Sequence, residues 1–158
     1  MKRLLVLMAF ALTCSGLVMA KTWGTATSKN DETGRLIIFR YVSDFDPGFN
    51  RASQPVRAII VWKYKGTNGM PAPRERERMD AMEDLLGPVV EVNGFATLAL
   101  VSTGEEVREW IYYAKSEEGF FARLNQALGA QPPFPIEIHI AEDPKWSNYQ
   151  EFVDGLRQ

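Results

Sequence analysis

This 158-residue sequence predicts a mixed α+β domain built on one antiparallel sheet. Three observations carry that reading. Apolar and polar residues alternate over several short runs, as in half-buried strands. Two stretches, 79–86 and 120–128, carry apolar residues at helical spacing. Between them the elements follow in the order strand, helix, strand, strand, helix, strand.

Each element has its own signal. Trp23, Thr25 and Thr27 alternate with Gly24 and Ala26, Asn30 to Gly34 is a polar turn, and Leu36 to Val42 returns the chain as a hairpin. Ser43 to Gln54, near Pro47, Gly48 and Pro55, reads as a loop. Arg57 to Lys65 is apolar on both alternating faces, which suits a central strand. Gly66-Thr67-Asn68-Gly69 ends it. Pro71-Ala72-Pro73 opens a helix with Met79, Met82, Leu85 and Leu86 on one side, and Gly87-Pro88 is its expected stop. The run Arg74 to Arg78 mixes both signs and reads as a solvated face with Arg74–Glu77 and Glu75–Arg78 pairs.

Ala96 to Ser102 and Val107 to Lys115 form a second hairpin around Thr103-Gly104-Glu105-Glu106. Glu117 to Leu128 is a second amphipathic helix, stopped by Gly129. Pro135 to Ala141 is a strand of clean alternation. Ile136, Ile138 and Ile140 face the helices, with Ile138 buried, and Glu137 and His139 face the other way. Asp143-Pro144 is the expected N-cap and first turn of a last helix, with Trp146, Tyr149, Phe152, Val153 and Leu156 as its apolar stripe. The central six elements are the split βαβ, or ferredoxin-like, arrangement. Right-handed crossovers put its two helices on one face. The N-terminal hairpin and C-terminal helix are additions to it.

The first twenty residues read as a signal peptide. Lys2 and Arg3 precede an apolar run from Leu4 to Leu12, and Val18-Met19-Ala20 suits a signal-peptidase site. The run is shorter than the roughly 20 residues a membrane-spanning helix needs. Leu12-Thr13 before Cys14 does not fit a lipoprotein signal. The expected product is one domain, 21–158, in the periplasm or medium and without a stable membrane anchor. Removing Lys2 and Arg3 takes the formal net charge from −2 to −4. That balance gives no electrostatic case for nucleic acid. Cys14 is the only cysteine and His139 the only histidine, so zinc is not expected. No cofactor is expected either.

Three blocks of residues, in order, resemble a known family. They are Gly69-Met70-Pro71 with Met79, Met82-Glu83-Asp84 and Leu85-Leu86; Arg108-Glu109-Trp110-Ile111-Tyr112-Tyr113; and Asp143-Pro144-Lys145-Trp146 with Tyr149 and Phe152. Together they resemble the bacterial domain of unknown function 695, over about Leu36 to Val153. The resemblance implies an α+β domain and no assigned activity, so no catalytic residue follows from it.

No phosphate loop or nucleophile elbow is present. The carboxylate pairs Asp44/Asp46 and Glu105/Glu106 read as solvated loop residues. The suggestive pattern is aromatic: Trp62 and Tyr64 alternate in phase, as do Arg108, Trp110 and Tyr112. One register would gather these five with Glu137 and His139 on the open sheet face. That face would suit a small ligand, a protein, or a second subunit. The competing expectation is that the C-terminal helix with its Trp146 stripe, or the N-terminal hairpin, covers the aromatic residues and makes them core. The functional expectation is a non-catalytic exported binding or interaction module. The alternative is a hydrolase-like enzyme using His139 with a carboxylate. Intact-mass measurement of protein recovered from the periplasm should find a chain beginning at Lys21. A retained leader, or a lipid on Cys14, would refute export by this route.

Overall fold

The computed structural model describes residues 21–157, so the leader and Cys14 lie outside the described residues. In chain order the elements are β1 (Thr22–Lys29), β2 (Leu36–Asp44), β3 (Val56–Lys63), β4 (Gly66–Thr67), β5 (Met70–Pro71), α1 (Pro73–Val90), β6 (Ala96–Gly104), β7 (Val107–Ala114), α2 (Glu117–Leu128), β8 (Ile136–Glu142) and α3 (Ser147–Gly155). Six strands form one antiparallel sheet in the order β1-β2-β6-β7-β3-β8. Its last four strands, β6-β7-β3-β8, are the split βαβ core, and the β1–β2 hairpin extends it beyond β6. β4 and β5 form a small ribbon turned at Asn68 and Gly69, both left-handed, as a two-residue hairpin requires.

The helix α1 runs past its expected stop. Gly87 and Pro88 lie inside it, and the chain stays helical to Val90. Pro88 lacks the N–H for one helical bond, a local cost. The extra turn seats Val90 fully in the core beside Leu86, and burial of that side chain offsets part of the loss. Of the two expected pairs on the first turns, Glu75–Arg78 forms at 3.6 Å. α2 follows its signals: Ser116 caps it by accepting from Gly119 N–H at 3.2 Å.

Two cores form, one on each side of the sheet. The first lies under α1 and α2 and contains Ile60, Trp62, Trp110, Tyr112, Met79, Met82 and Phe120. Ile136, Ile138 and Ile140 face it as expected. Ile138 is only half-buried, because β8 is the edge of the sheet and no strand among the described residues flanks it on the outer side. The second core lies under α3, where Trp146 and Tyr149 pack on Ala99, Leu100, Ile111 and Tyr113. A bulge feeds it: Leu98 pairs with Tyr112 and Leu100 with Ile111, leaving Ala99 as the extra residue.

α3 begins later than Asp143-Pro144 suggests. Its first residue is Ser147, and Trp146 before it is left-handed, with φ 56°. That strained conformation lets the indole stack on Tyr113 at 3.9 Å between centroids and donate to the Arg51 and Gln54 carbonyls. Asp143 still serves the helix, from four residues upstream. Its carboxylate accepts from Ser147 N–H at 2.7 Å, Asn148 N–H at 3.1 Å and the Tyr113 hydroxyl at 2.8 Å. Leu156 lies past the helix and is exposed.

Burial pushes the Asp143 carboxyl upward, but these hydrogen bonds outweigh it and hold the group below its ordinary value. A carboxyl depressed in the fold stabilises it above the unfolded value of about 3.9, and the gain is lost as pH falls through the lower folded value. Chemical denaturation between pH 5 and pH 2 should therefore show an acid loss that Asp143→Asn reduces. An Asp143→Asn protein with the parent's full acid dependence would contradict the assignment.

Candidate ligand groove beside helix α1

The sheet is wider than the helical layer on its first face. α1 lies over β6, and α2 over β3 and β7. The β1–β2 hairpin carries the sheet past α1, whose flank becomes the wall of a trough. The floor comes from β2 and β6, through Ile38, Arg40, Val101 and Thr103, and Met70-Pro71 closes one end. This half has a volume of about 390 Å³. A second half of about 340 Å³ continues toward Trp23, Glu91 and Tyr112, and the two halves share Arg40.

The wall and floor are joined by charge. Glu83 on α1 accepts from the Trp110 indole N–H at 2.8 Å and from Arg108 Nη2 at 3.3 Å, and it also pairs with Arg40. Arg108 Nη1 donates to Asp80 at 2.7 Å. One turn before Met79, Glu75 accepts from the Trp62 indole at 2.7 Å. Arg108 is 8 % exposed, and its guanidinium lies 4.9 Å from the Trp110 ring centre. Its Nε is buried without a hydrogen-bond partner, and so is the Tyr112 hydroxyl beside the second half. Burial raises the Tyr112 phenol well above its usual range, with Glu91 and Glu83 adding to the effect. It therefore stays a protonated donor.

The structure divides the seven residues that sequence alternation would gather. Ile60 pairs with Trp110 on one side and Ile138 on the other; Trp62 pairs with Arg108 and Ile136. Residues opposite one another share a face. Trp62, Arg108, Trp110 and Tyr112 therefore join the isoleucines under α1 and α2, and Tyr64 packs in the same core just past β3. They are core, but the helices covering them are α1 and α2 rather than α3. The Tyr64 hydroxyl donates to the Gly69 carbonyl at 2.9 Å, and burial pushes its pKa up to about 12.

Glu137 and His139 alone face the opposite side. His139 Nε2 stands 3.8 Å from Glu137, which binds Lys63 at 2.9 Å. Glu137 lies below its ordinary value, chiefly through the Lys63 hydrogen bond. Among the described residues no three His, Cys, Asp or Glu side chains are grouped to hold a metal, and no helix is long and apolar enough to cross a membrane.

Residues 21–153, from β1 into α3, match the family of unknown function DUF695. The chain belongs to that family. No curated protein matches it. In this DUF695 member, two of the three resembling blocks, Met82-Glu83-Asp84 and Arg108 to Tyr113, meet at the groove. The third, Asp143 to Phe152, builds the α3 side.

Arg40, Arg76, Asp80, Val101 and Thr103 had no place in the sequence-level site. One signal did point to Asp80 and Glu83. Arg108 is a charge in phase with Trp110 and Tyr112 on an apolar stripe, and such a charge needs a carboxylate from whatever covers it.

Proposed function

We propose that this DUF695 member is an exported, non-catalytic binding module that holds a small acidic ligand with an apolar part in the first half of the trough beside α1, away from the Glu83, Asp84 and Glu91 carboxylates that line the second. One observation carries the reading. The first half of the trough is lined by three guanidinium groups, Arg40, Arg76 and Arg108, against one carboxylate, Asp80. Arg108 and Arg40 are engaged with Asp80 and Glu83; Arg76 makes no ion pair among the described residues. A ligand carboxylate would find a planar, bidentate partner in Arg76. Ile38, Val101 and Met70 offer apolar surface for the rest of the molecule. Binding without catalysis is the simpler reading, because two of the trough's three arginines, Arg40 and Arg108, are held in ion pairs and the third, Arg76, is a binding group rather than an acid, base or nucleophile. Export rests on the leader.

Amide chemical-shift titration with short-chain carboxylates, and with amines of matched shape as controls, tests the proposal. Carboxylates should shift Arg40, Arg76 and Thr103, and amines should not. Arg76→Glu should weaken binding about tenfold or more, the loss of one charge-assisted contact. Shifts confined to the His139 face, or none with any carboxylate, would overturn the proposal.

A further inference from the structure

The second edge of the sheet, β8, is built as a pairing strand. Asp143 N–H donates to the Pro55 carbonyl, and Tyr64 N–H donates to the Glu106 carbonyl. These two bonds fix the alternation: odd-numbered residues of β8 point their backbone groups at β3. The N–H and C=O of Ile136, Ile138, Ile140 and Glu142 therefore point outward. The strand is seven residues long and contains no proline, glycine or bulge, three of the devices that blunt an edge; its charged side chains are Glu137 and Glu142. Its isoleucines are half-buried, and Ile136 and Ile138 border an apolar notch of about 380 Å³ with Leu124, Leu128 and Phe134. The far edge, β1, lacks this stripe; its sequence is Thr-Trp-Gly-Thr-Ala-Thr-Ser-Lys.

We propose that a second copy of this chain pairs antiparallel with β8 about a two-fold axis at Ile138, joining two sheets into one of twelve strands. Charge selects that register. A two-fold axis at Ile138 sets Ile136 opposite Ile140 of the second copy, with outward backbone groups bonding. It sets Glu137 opposite His139 of the second copy, twice, at non-hydrogen-bonded positions where side chains approach most closely. An axis one residue on, at His139, would oppose the two imidazoles and leave Glu137 facing Ala141. The Ile138 register also continues the isoleucine stripe across the joint. Glu137 and His139 are both exposed in the single chain, so neither is needed for its own core. The trough lies beyond β6, on the far side of the sheet from β8, so this surface is independent of the ligand proposal.

Sedimentation equilibrium at mildly acidic pH tests the pairing on the chain from Lys21 onward. The parent should dimerise. Glu137→Lys and His139→Glu should each weaken dimerisation about tenfold, because two cross-strand pairs turn from opposite to like charge. The double variant, which swaps the charges, should restore it. Circular dichroism should show all four proteins equally folded. A parent that stays monomeric at its highest soluble concentration overturns the proposal. So does a dimer indifferent to both single substitutions, or a double variant no better than the singles.

Discussion

Glu83 is the point on which the arrangement of helix and sheet depends. It sits on α1 between the buried Met82 and the core residue Leu86, facing a sheet whose Trp110 indole would otherwise be buried without a partner and whose Arg108 would keep Asp80 alone. Trp110 brings an indole N–H, Arg108 a guanidinium, and Arg40 a second one from the next strand but one. Burying an arginine and an indole without acceptors would cost several kcal/mol. The carboxylate removes that cost only in one position of α1 along the sheet. Apolar packing of Met79, Met82 and Leu86 supplies attraction but little register. The ion and indole contacts add the register, with Glu75 on Trp62 as a second pin two turns earlier.

The trough follows from that pinning. With α1 fixed over β6, no helix among the described residues lies above the β1–β2 hairpin on this face, and a concave strip remains between wall and floor. The opposite face is handled differently. There α3 brings Trp146 and Tyr149 onto the sheet, and Phe152 packs against Phe39 and Tyr41 at 4.9 and 5.4 Å. The sheet's two faces thus serve different ends. One is closed by charge-registered helices with a groove at their side; the other is closed by an aromatic cluster that leaves the β3–β8 end bare, with Lys63, Glu137 and His139 on it.

Much of the fold was legible because strand alternation, helical spacing and turn residues agreed locally. The order of the six main strands and three helices read from the sequence is the order observed, including the split βαβ core and both additions; the short β4–β5 ribbon, where the sequence shows only a turn, is extra. The site was less legible, for a specific reason. Alternation says which residues of one strand share a face, as Arg108, Trp110 and Tyr112 do. It does not say which face, since that depends on cross-strand register. Ile60 opposite both Trp110 and Ile138 decides it, and no single strand contains that information. The Pro88 and Trp146 differences share another cause. Both are local rules overridden by burial: Val90 under α1 in one case, and the indole stacked on Tyr113 in the other.

The most direct measurement of the central claim is a double-mutant cycle between Glu83 and Trp110, using Glu83→Ala and Trp110→Phe with stabilities from chemical denaturation. If Glu83 registers α1 through the indole, the two changes should be coupled by about 1–3 kcal/mol, as for a hydrogen bond to a charged acceptor. Additivity within about 0.5 kcal/mol would contradict the account and leave apolar packing alone to place the helix.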